Sequence, residues 1–318
     1  MNMKMQMIRV GIVGAGPMGR LHARTVARFA EQEKSCALTV IVDRHAGRAD
    51  AVAKEFGARA SGDLESVLSD LDAVIVCVPT FTHFSVTQFL LERDLDVLVE
   101  KPLAGSIAEG MRLGILARER GCILQVGHVE WYNQGWRDAA KFAGKPRSIE
   151  VERLNPPSER GLELDVVQDF MLHDLDWVTR FLGEEIVELE ASGRCVMNDK
   201  LDEAEAILRF RGGCRVRLRA SRVHPERRRR VWIEGNGGTA TADLLTREAK
   251  GAGSASGPGP DPLETQWADF LESLRSRKDP KTDAAVGVAA LEIVDRVRES
   301  IAKASGSVGR EDDSAFGG

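Results

Sequence analysis

Three groups of residues in this 318-residue chain have the types and spacing for proton chemistry on a hydroxyl. The first is Glu100-Lys101-Pro102, directly after the apolar run Val97-Leu98-Val99. Pro102 disfavours the α region for Lys101, so the lysine leaves the strand end extended. A lysine placed there serves as a general acid or base, or anchors a hydroxyl; a solvated surface lysine is the competing reading. The second group is Asp169-Phe170-Met171-Leu172-His173-Asp174-Leu175-Asp176. At helical spacing Asp169, His173 and Asp176 share one face. An aspartate one turn before a histidine orients the ring and raises its pKa, as a proton acceptor requires. A solvated acidic stripe has the same spacing. The third is Val126-Gly127-His128-Val129-Glu130-Trp131-Tyr132-Asn133. His128, Tyr132 and Asn133 are candidates to line a pocket there, although Trp131 and Tyr132 also suit plain aromatic packing.

These groups need a scaffold, and the scaffold starts at Val10 to Gly19. Ile8, Val10 and Ile12 alternate as a short strand would, and the chain turns through Gly14-Ala15-Gly16-Pro17-Met18-Gly19 into a helical stretch. This is the dinucleotide fingerprint in its required context, strand before and helix after. Gly14 allows the tight turn, Gly16 lets a pyrophosphate approach the backbone, and Gly19 lets helix and strand pack closely. Pro17 suits a first helical position. A buried strand, Leu38-Thr39-Val40-Ile41-Val42, then ends in Asp43, where a carboxylate about 20 residues past the glycines accepts hydrogen bonds from the adenosine ribose. Asp43 favours NAD over NADP, because a 2′-phosphate would meet its negative charge; Arg44, next in the chain, softens that preference.

Strand and helix patterns alternate through the first 126 residues. Helices are expected over Met18–Phe29, Ala46–Phe56 and His83–Leu91, and after the capping box Ser106-Ile107-Ala108-Glu109 as far as Gly121. Ala73-Val74-Ile75-Val76-Cys77-Val78 is the unbroken apolar run of a parallel strand covered on both faces. The fold class is therefore α/β, an N-terminal doubly wound parallel sheet whose ligand lies at the carboxyl ends of the strands. From Gly127 the pattern changes. One helix, Val166–Leu182, stands among strands at Ser148–Leu154, Ile186–Cys195, Glu203–Phe210, Cys214–Arg222, Arg228–Glu234 and Gly238–Asp243. Glycine turns between them imply a C-terminal α+β domain with an open, mostly antiparallel sheet. A two-residue turn at Gly212-Gly213 would set apolar residues opposite arginines, so a three-residue loop or a bulge is expected there. Gly251 to Pro262 reads as a mobile Gly/Ser/Pro loop. Thr265–Leu274 and Ala284–Ile301 read as helices. The expected division is 1–126 for the dinucleotide domain, 127–304 for the α+β domain and 305–318 for a disordered tail.

Composition is that of an ordinary globular protein, 43% hydrophobic and 29% charged, with a net charge of −5 that attracts neither nucleic acid nor an anionic membrane. The five scattered cysteines fit reduced thiols in a cytoplasm and form no metal cage. No signal peptide or membrane span is read. The run Arg227 to Arg230 reads as an exposed hairpin rather than a nucleic-acid site. Arg153 and Arg160, flanking Asn155-Pro156-Pro157, are the cationic candidates for a phosphate-bearing ligand.

In their order, Gly14-Ala15-Gly16-Pro17-Met18-Gly19, Val78-Pro79-Thr80 with His83, Glu100-Lys101-Pro102 and Asp169-x-x-x-His173 resemble the Gfo/Idh/MocA oxidoreductases, from Ile8 to about Ile301. The resemblance implies a Rossmann domain with Val78, Pro79, Thr80, His83, Glu100 and Lys101 beside the cofactor. It implies that Lys101, Asp169 and His173 meet around the substrate hydroxyl, and that the open sheet assembles homodimers or homotetramers. Val126 to Asn133, Phe170 to Asp176 and Ala220 to Arg230 further resemble the short members that oxidise C3 of UDP-N-acetylglucosamine. Trp131-Tyr132 stands where Arg-Phe is usual in them, and Gln134-Gly135 replaces an expected proline. The expected activity is oxidation of a secondary hydroxyl of a sugar, with hydride transfer to NAD and either His173 or Lys101 as base. Alternatives are an inositol, polyol or simple-sugar dehydrogenase and, in another class, an NAD(P)-sensing regulator that kept the fold without the chemistry.

Overall fold

The computed structural model describes residues 7–158, 163–251 and 253–308. Strands β1 (Ile8–Val13), β2 (Cys36–Val42), β3 (Arg59–Ser61), β4 (Ala73–Val76), β5 (Asp96–Val99) and β6 (Leu124–Val126) form one parallel sheet in the order β3-β2-β1-β4-β5-β6. Helices α1 (Pro17–Glu33), α2 (Ala46–Phe56), α3 (His83–Leu91) and α4 (Ile107–Arg120) connect the strands. The strand order reverses between β1 and β4, and this switch point is where such sheets hold ligands. The unbroken apolar strands follow from burial on both faces: Ala73, Val74, Ile75 and Val76 are all fully buried. The capping box forms, with Ser106 Oγ accepting the Glu109 N–H at 3.3 Å, and Gly121 ends α4 in the left-handed conformation.

Helix α5 (Gln134–Ala143) precedes β7 (Pro146–Leu154). A π-helical turn, Val167–Met171, runs into α6 (Leu172–Leu182). Strands β8 (Ile186–Arg194), β9 (Glu203–Phe210), β10 (Arg215–Ser221), β11 (Arg228–Gly235), β12 (Gly238–Asp243), β13 (Glu248–Gly251) and β14 (Ser254–Ala255) follow. The second sheet has the order β14-β13-β12-β11-β7-β10-β9-β8 and is antiparallel except where β10 runs parallel to β7. One face is apolar. Ile149, Val151, Leu208, Val216, Leu218, Val231 and Ile233 are buried there in one cluster with residues of α5 and α6, where Trp136 and Trp177 stack with centroids 4.7 Å apart. The other face is laced by cross-strand ion pairs such as Arg217–Glu205 and Arg219–Glu152.

The β9–β10 connection is the expected three-residue loop. Phe210 and Cys214 close it with a 3.0 Å hydrogen bond, Gly213 takes φ +90°, and Val216 falls opposite Leu208. Two expectations are corrected. The Arg227–Arg230 segment is no hairpin: β10 and β11 are not neighbours, because β7 lies between them, and Arg228 to Arg230 belong to β11. Part of the supposed mobile loop pairs as strand, Lys250 with Ala255 and Gly251 with Ser254.

Helices α7 (Pro262–Ser276) and α8 (Ala284–Val308) complete the chain. The two compact units are Met1–His128 with Leu263–Val288, and Val129–Pro262 with Ala289–Gly318. The first unit thus recruits a C-terminal segment that sequence reading assigned to the second, because Trp267, Phe270 and Leu271 of α7 bury against the first sheet's core. Helix α8 continues to Val308, and residues 309–318 of the expected tail lie outside the described residues. Among the described residues no helix is long and apolar enough to cross a membrane.

Candidate functional site

In the first unit the carboxyl ends of β1, β2, β4 and β5 carry the predicted cofactor residues. The three glycines are required for different reasons. Gly14 has φ +102°, and a Cβ on it would lie 2.5 Å from the carbonyl oxygen of Cys77. A Cβ on Gly19 would lie 1.8 Å from the Gly14 carbonyl oxygen. A Cβ on Gly16 would meet nothing within 4 Å, so the protein itself does not demand a glycine there. The open space above Gly16 is what a close-approaching pyrophosphate needs. Gly16 is the N-cap of α1 with no side-chain cap, and Pro17 stands among the first helical residues. The first-turn N–H groups, Met18 among them, therefore lack a side-chain cap and suit an anion. Asp43 accepts the Ala15 N–H on Oδ2 and the His45 N–H on Oδ1, each at 2.8 Å, which ties the end of β2 to the glycine turn. Each oxygen keeps a lone pair for a ribose hydroxyl. Arg44 beside it is exposed. These residues fit NAD. Gly16→Ala should leave the melting temperature within about 2 °C of wild type yet weaken NAD binding at least about tenfold by titration calorimetry, because its methyl meets only the ligand.

The next two strand ends are tied together by His83. This buried side chain lies with Nδ1 2.7 Å from the Pro102 carbonyl oxygen and Nε2 2.9 Å from that of Val78, so one ring spans the Val78-Pro79-Thr80 and Glu100-Lys101-Pro102 segments. Burial pulls the His83 pKa down, against the two carbonyls and Glu100, which favour the charged ring. Glu100 is itself braced. Its Oε1 lies 2.8 Å from His22 Nε2, and its Oε2 accepts the Lys101 N–H at 3.2 Å. Burial opposes its charge, but the His22 hydrogen bond and the nearby Lys101 outweigh burial and hold its pKa below the usual range. Glu100 thus anchors the backbone of Lys101, which is half-buried and joined to Pro102 by a cis peptide bond. His128, at the end of the first unit, is buried.

In the second unit Asp169 lies in the π-helical turn and His173 in the first turn of α6. Asp165 starts this segment, its Oδ1 accepting the N–H groups of Val167 and Gln168 at 3.0 and 2.9 Å. The change from π to α winding at Leu172 is of the kind often found at functional sites. Asp176 is no part of a solvated stripe, while Asp169 and His173 are half-buried. Asp174 and Asp176 are each 2% exposed, and Asp176 faces Arg180 at 3.5 Å. Asp174 is held in a fork by Arg153, Nε to Oδ2 and Nη2 to Oδ1, both at 2.8 Å, and also accepts Trp177 Nε1–H at 3.2 Å. The third donor of Arg153, Nη1, reaches Glu130 Oε1 at 3.3 Å. Glu130 Oε1 also accepts Arg229 Nη1–H at 3.2 Å, and its Oε2 accepts Asn133 Nδ2–H at 3.1 Å.

This cluster revises the predicted ligand residues. Arg153 is 2% exposed and spent on two carboxylates; burial opposes its charge, yet Asp174 and Glu130 raise its pKa. It is a strut, not a phosphate donor. Asn133 is likewise consumed. It caps α5 through the Gly135 N–H and donates to Glu130 and to the Leu244 carbonyl. Tyr132 is buried beside it, and Arg160 lies outside the described residues. Sequence reading missed Glu130, Asp174 and Arg229. One signal was available for the last: Arg229 has the strand parity of Val231 and Ile233, which puts a charge on the apolar face.

An oxidoreductase family model with an NAD-binding Rossmann fold matches residues 8–128, and the Gfo/Idh/MocA C-terminal domain matches residues 137–241. The chain belongs to the Gfo/Idh/MocA family. Gfo/Idh/MocA membership makes it an oxidoreductase with NAD as the cofactor of its Rossmann domain. It is 32% identical over 311 residues to a UDP-N-acetylglucosamine 3-dehydrogenase of Acidithiobacillus ferrooxidans, covering 92% of this chain and 97% of that one. A solved structure of the A. ferrooxidans enzyme superposes with a TM-score of 0.84 at 31% identity, over 93% of this chain and 98% of that chain. The scyllo-inositol 2-dehydrogenase (NAD(+)) of Bacillus subtilis is 30% identical over 240 residues, 69% of this chain and 68% of that one.

Proposed function

We propose that this enzyme oxidises a secondary hydroxyl of a nucleotide-linked sugar, with UDP-N-acetylglucosamine at C3 as the substrate to test first. The observation that carries this reading is end-to-end similarity to a UDP-N-acetylglucosamine 3-dehydrogenase in a chain that holds Lys101, Asp169 and His173. NAD, when bound, supplies the hydride acceptor. His173 takes the hydroxyl proton on a ring nitrogen, and Asp169, one helical turn earlier, keeps the ring oriented. Lys101 holds the hydroxyl and offsets negative charge as it develops on oxygen. In the converse assignment Lys101 is the base and His173 the positioning group.

The 30% identity to an inositol dehydrogenase favours a free polyol as second reading. The two separate in one assay, NADH formation followed by absorbance with UDP-N-acetylglucosamine, myo-inositol or glucose, and with NAD or NADP. Turnover of the nucleotide sugar alone, with NAD preferred, is the expected result. Turnover of myo-inositol alone would replace the substrate class. NAD binding without turnover of any sugar would shift weight to the sensing reading.

A further inference from the structure

The buried charge cluster of the second unit does not treat its two arginines alike. Arg229 and Arg153 are directly opposite each other on β11 and β7, both on the apolar face of the sheet. Arg153 has three donors matched to two carboxylates. Arg229 shares Glu130 Oε1 through Nη1, while its Nε is buried and, among the described residues, has no hydrogen-bond partner. Its side chain is 26% exposed, where that of Arg153 is 2% exposed. Glu130 has little left to give, because Oε1 serves both arginines and Oε2 is taken by Asn133. Burial and then the adjacent Arg153 pull the Arg229 pKa down to about 10, with Arg227 adding to the repulsion and Glu130 and Asp174 opposing it. Arg229 is thus a guanidinium short of anions, with an unpartnered, buried Nε and a quarter of its side chain facing solvent. Asp174, which anchors the cluster to α6, directly follows His173 in the chain.

We propose that Arg229 binds the diphosphate of the substrate. A planar fork of N–H donors suits phosphate oxygens better than a point charge does, and an incoming anion supplies the charge that Glu130 divides between two arginines. The proposal rests on the nucleotide-sugar reading above, and it moves the phosphate contact from Arg153 to its cross-strand neighbour.

The test uses UDP as the probe with NAD-loaded enzyme, wild type against Arg229→Gln and Arg229→Lys. Titration calorimetry should show UDP binding weakened about ten- to hundredfold in Arg229→Gln, the range for loss of a charged hydrogen bond. Arg229→Lys should fall between the two. KM for UDP-N-acetylglucosamine should rise far more than kcat falls, and NAD affinity should hold, which a general loosening of the fold would not produce. Unchanged UDP affinity in both variants, with the wild type turning over UDP-N-acetylglucosamine, would overturn the assignment of Arg229 alone. A wild type that neither binds UDP nor oxidises the nucleotide sugar would overturn the substrate class as well.

Discussion

Replacing Lys101 by alanine should lower kcat by about 10²- to 10⁴-fold while NAD affinity stays within about threefold, the range expected when a proton-handling group is lost from a formed site. The separation follows from how the segment is held. Lys101 stands after β5, but its backbone is fixed by Glu100 Oε2, Glu100 is fixed by His22, and the following proline carbonyl is fixed by His83. None of these contacts uses the Lys101 ammonium, so the alanine variant keeps the strand ends in place. The glycine turn and Asp43 are likewise untouched. Single-turnover kinetics and NAD titration on the same preparation check both halves. Equal turnover in the variant would remove Lys101 from the chemistry; loss of NAD binding would make it a cofactor residue instead. The partner variant His173→Gln resolves which group is the base. If His173 takes the proton, the acid limb of kcat/KM against pH disappears with it. Persistence of that limb would transfer the role to Lys101.

The parts of the molecule that were legible in the sequence are those fixed by local geometry. Gly14, Gly16 and Gly19 sit in a strand–turn–helix whose clashes are all within the segment or against the adjacent strand end, so spacing alone carries them. The three-residue loop before Cys214 was legible because a strand's two faces differ and a one-residue slip would invert every side chain. The charged residues were not. Arg153 was read as a ligand donor because nothing in its neighbourhood along the chain shows that Asp174, 21 residues on, and Glu130, 23 residues back, meet it. Asn133 looked like a pocket residue for the same reason, since its cap on Gly135 is local but its bond to the Leu244 carbonyl spans 111 residues. The π-helical turn at Val167–Met171 is a change of winding that residue spacing along the chain does not encode, so periodicity does not reveal it. Likewise α7 reads as an amphipathic helix wherever it packs, and only its contacts assign it to the first unit.

Arg153→Ala should destabilise the protein by about 3–5 kcal/mol, the cost of leaving a buried carboxylate without its cation. In the variant Asp174, 2% exposed, loses both arms of the fork and keeps the Trp177 N–H, while Glu130 keeps Arg229 and Asn133. Chemical denaturation of the second unit should show the loss as a lower midpoint at unchanged slope. The double variant Arg153→Met/Asp174→Leu removes both charges and should recover most of the loss, since an apolar pair of similar volume is often no worse than a buried ion pair. That recovery is what separates the two reasons for having the cluster. If the double variant is stable and still turns over substrate at the wild-type rate, the charges serve neither folding nor the placement of His173. If it is stable but slow, with kcat reduced and KM little changed, the fork earns its place by fixing the rotation of α6, because Asp174 and His173 are consecutive on that helix and one cannot turn without the other. A double variant as unstable as Arg153→Ala would show instead that Glu130 and Arg229 need Arg153 beside them, and would make the four charges one structural unit.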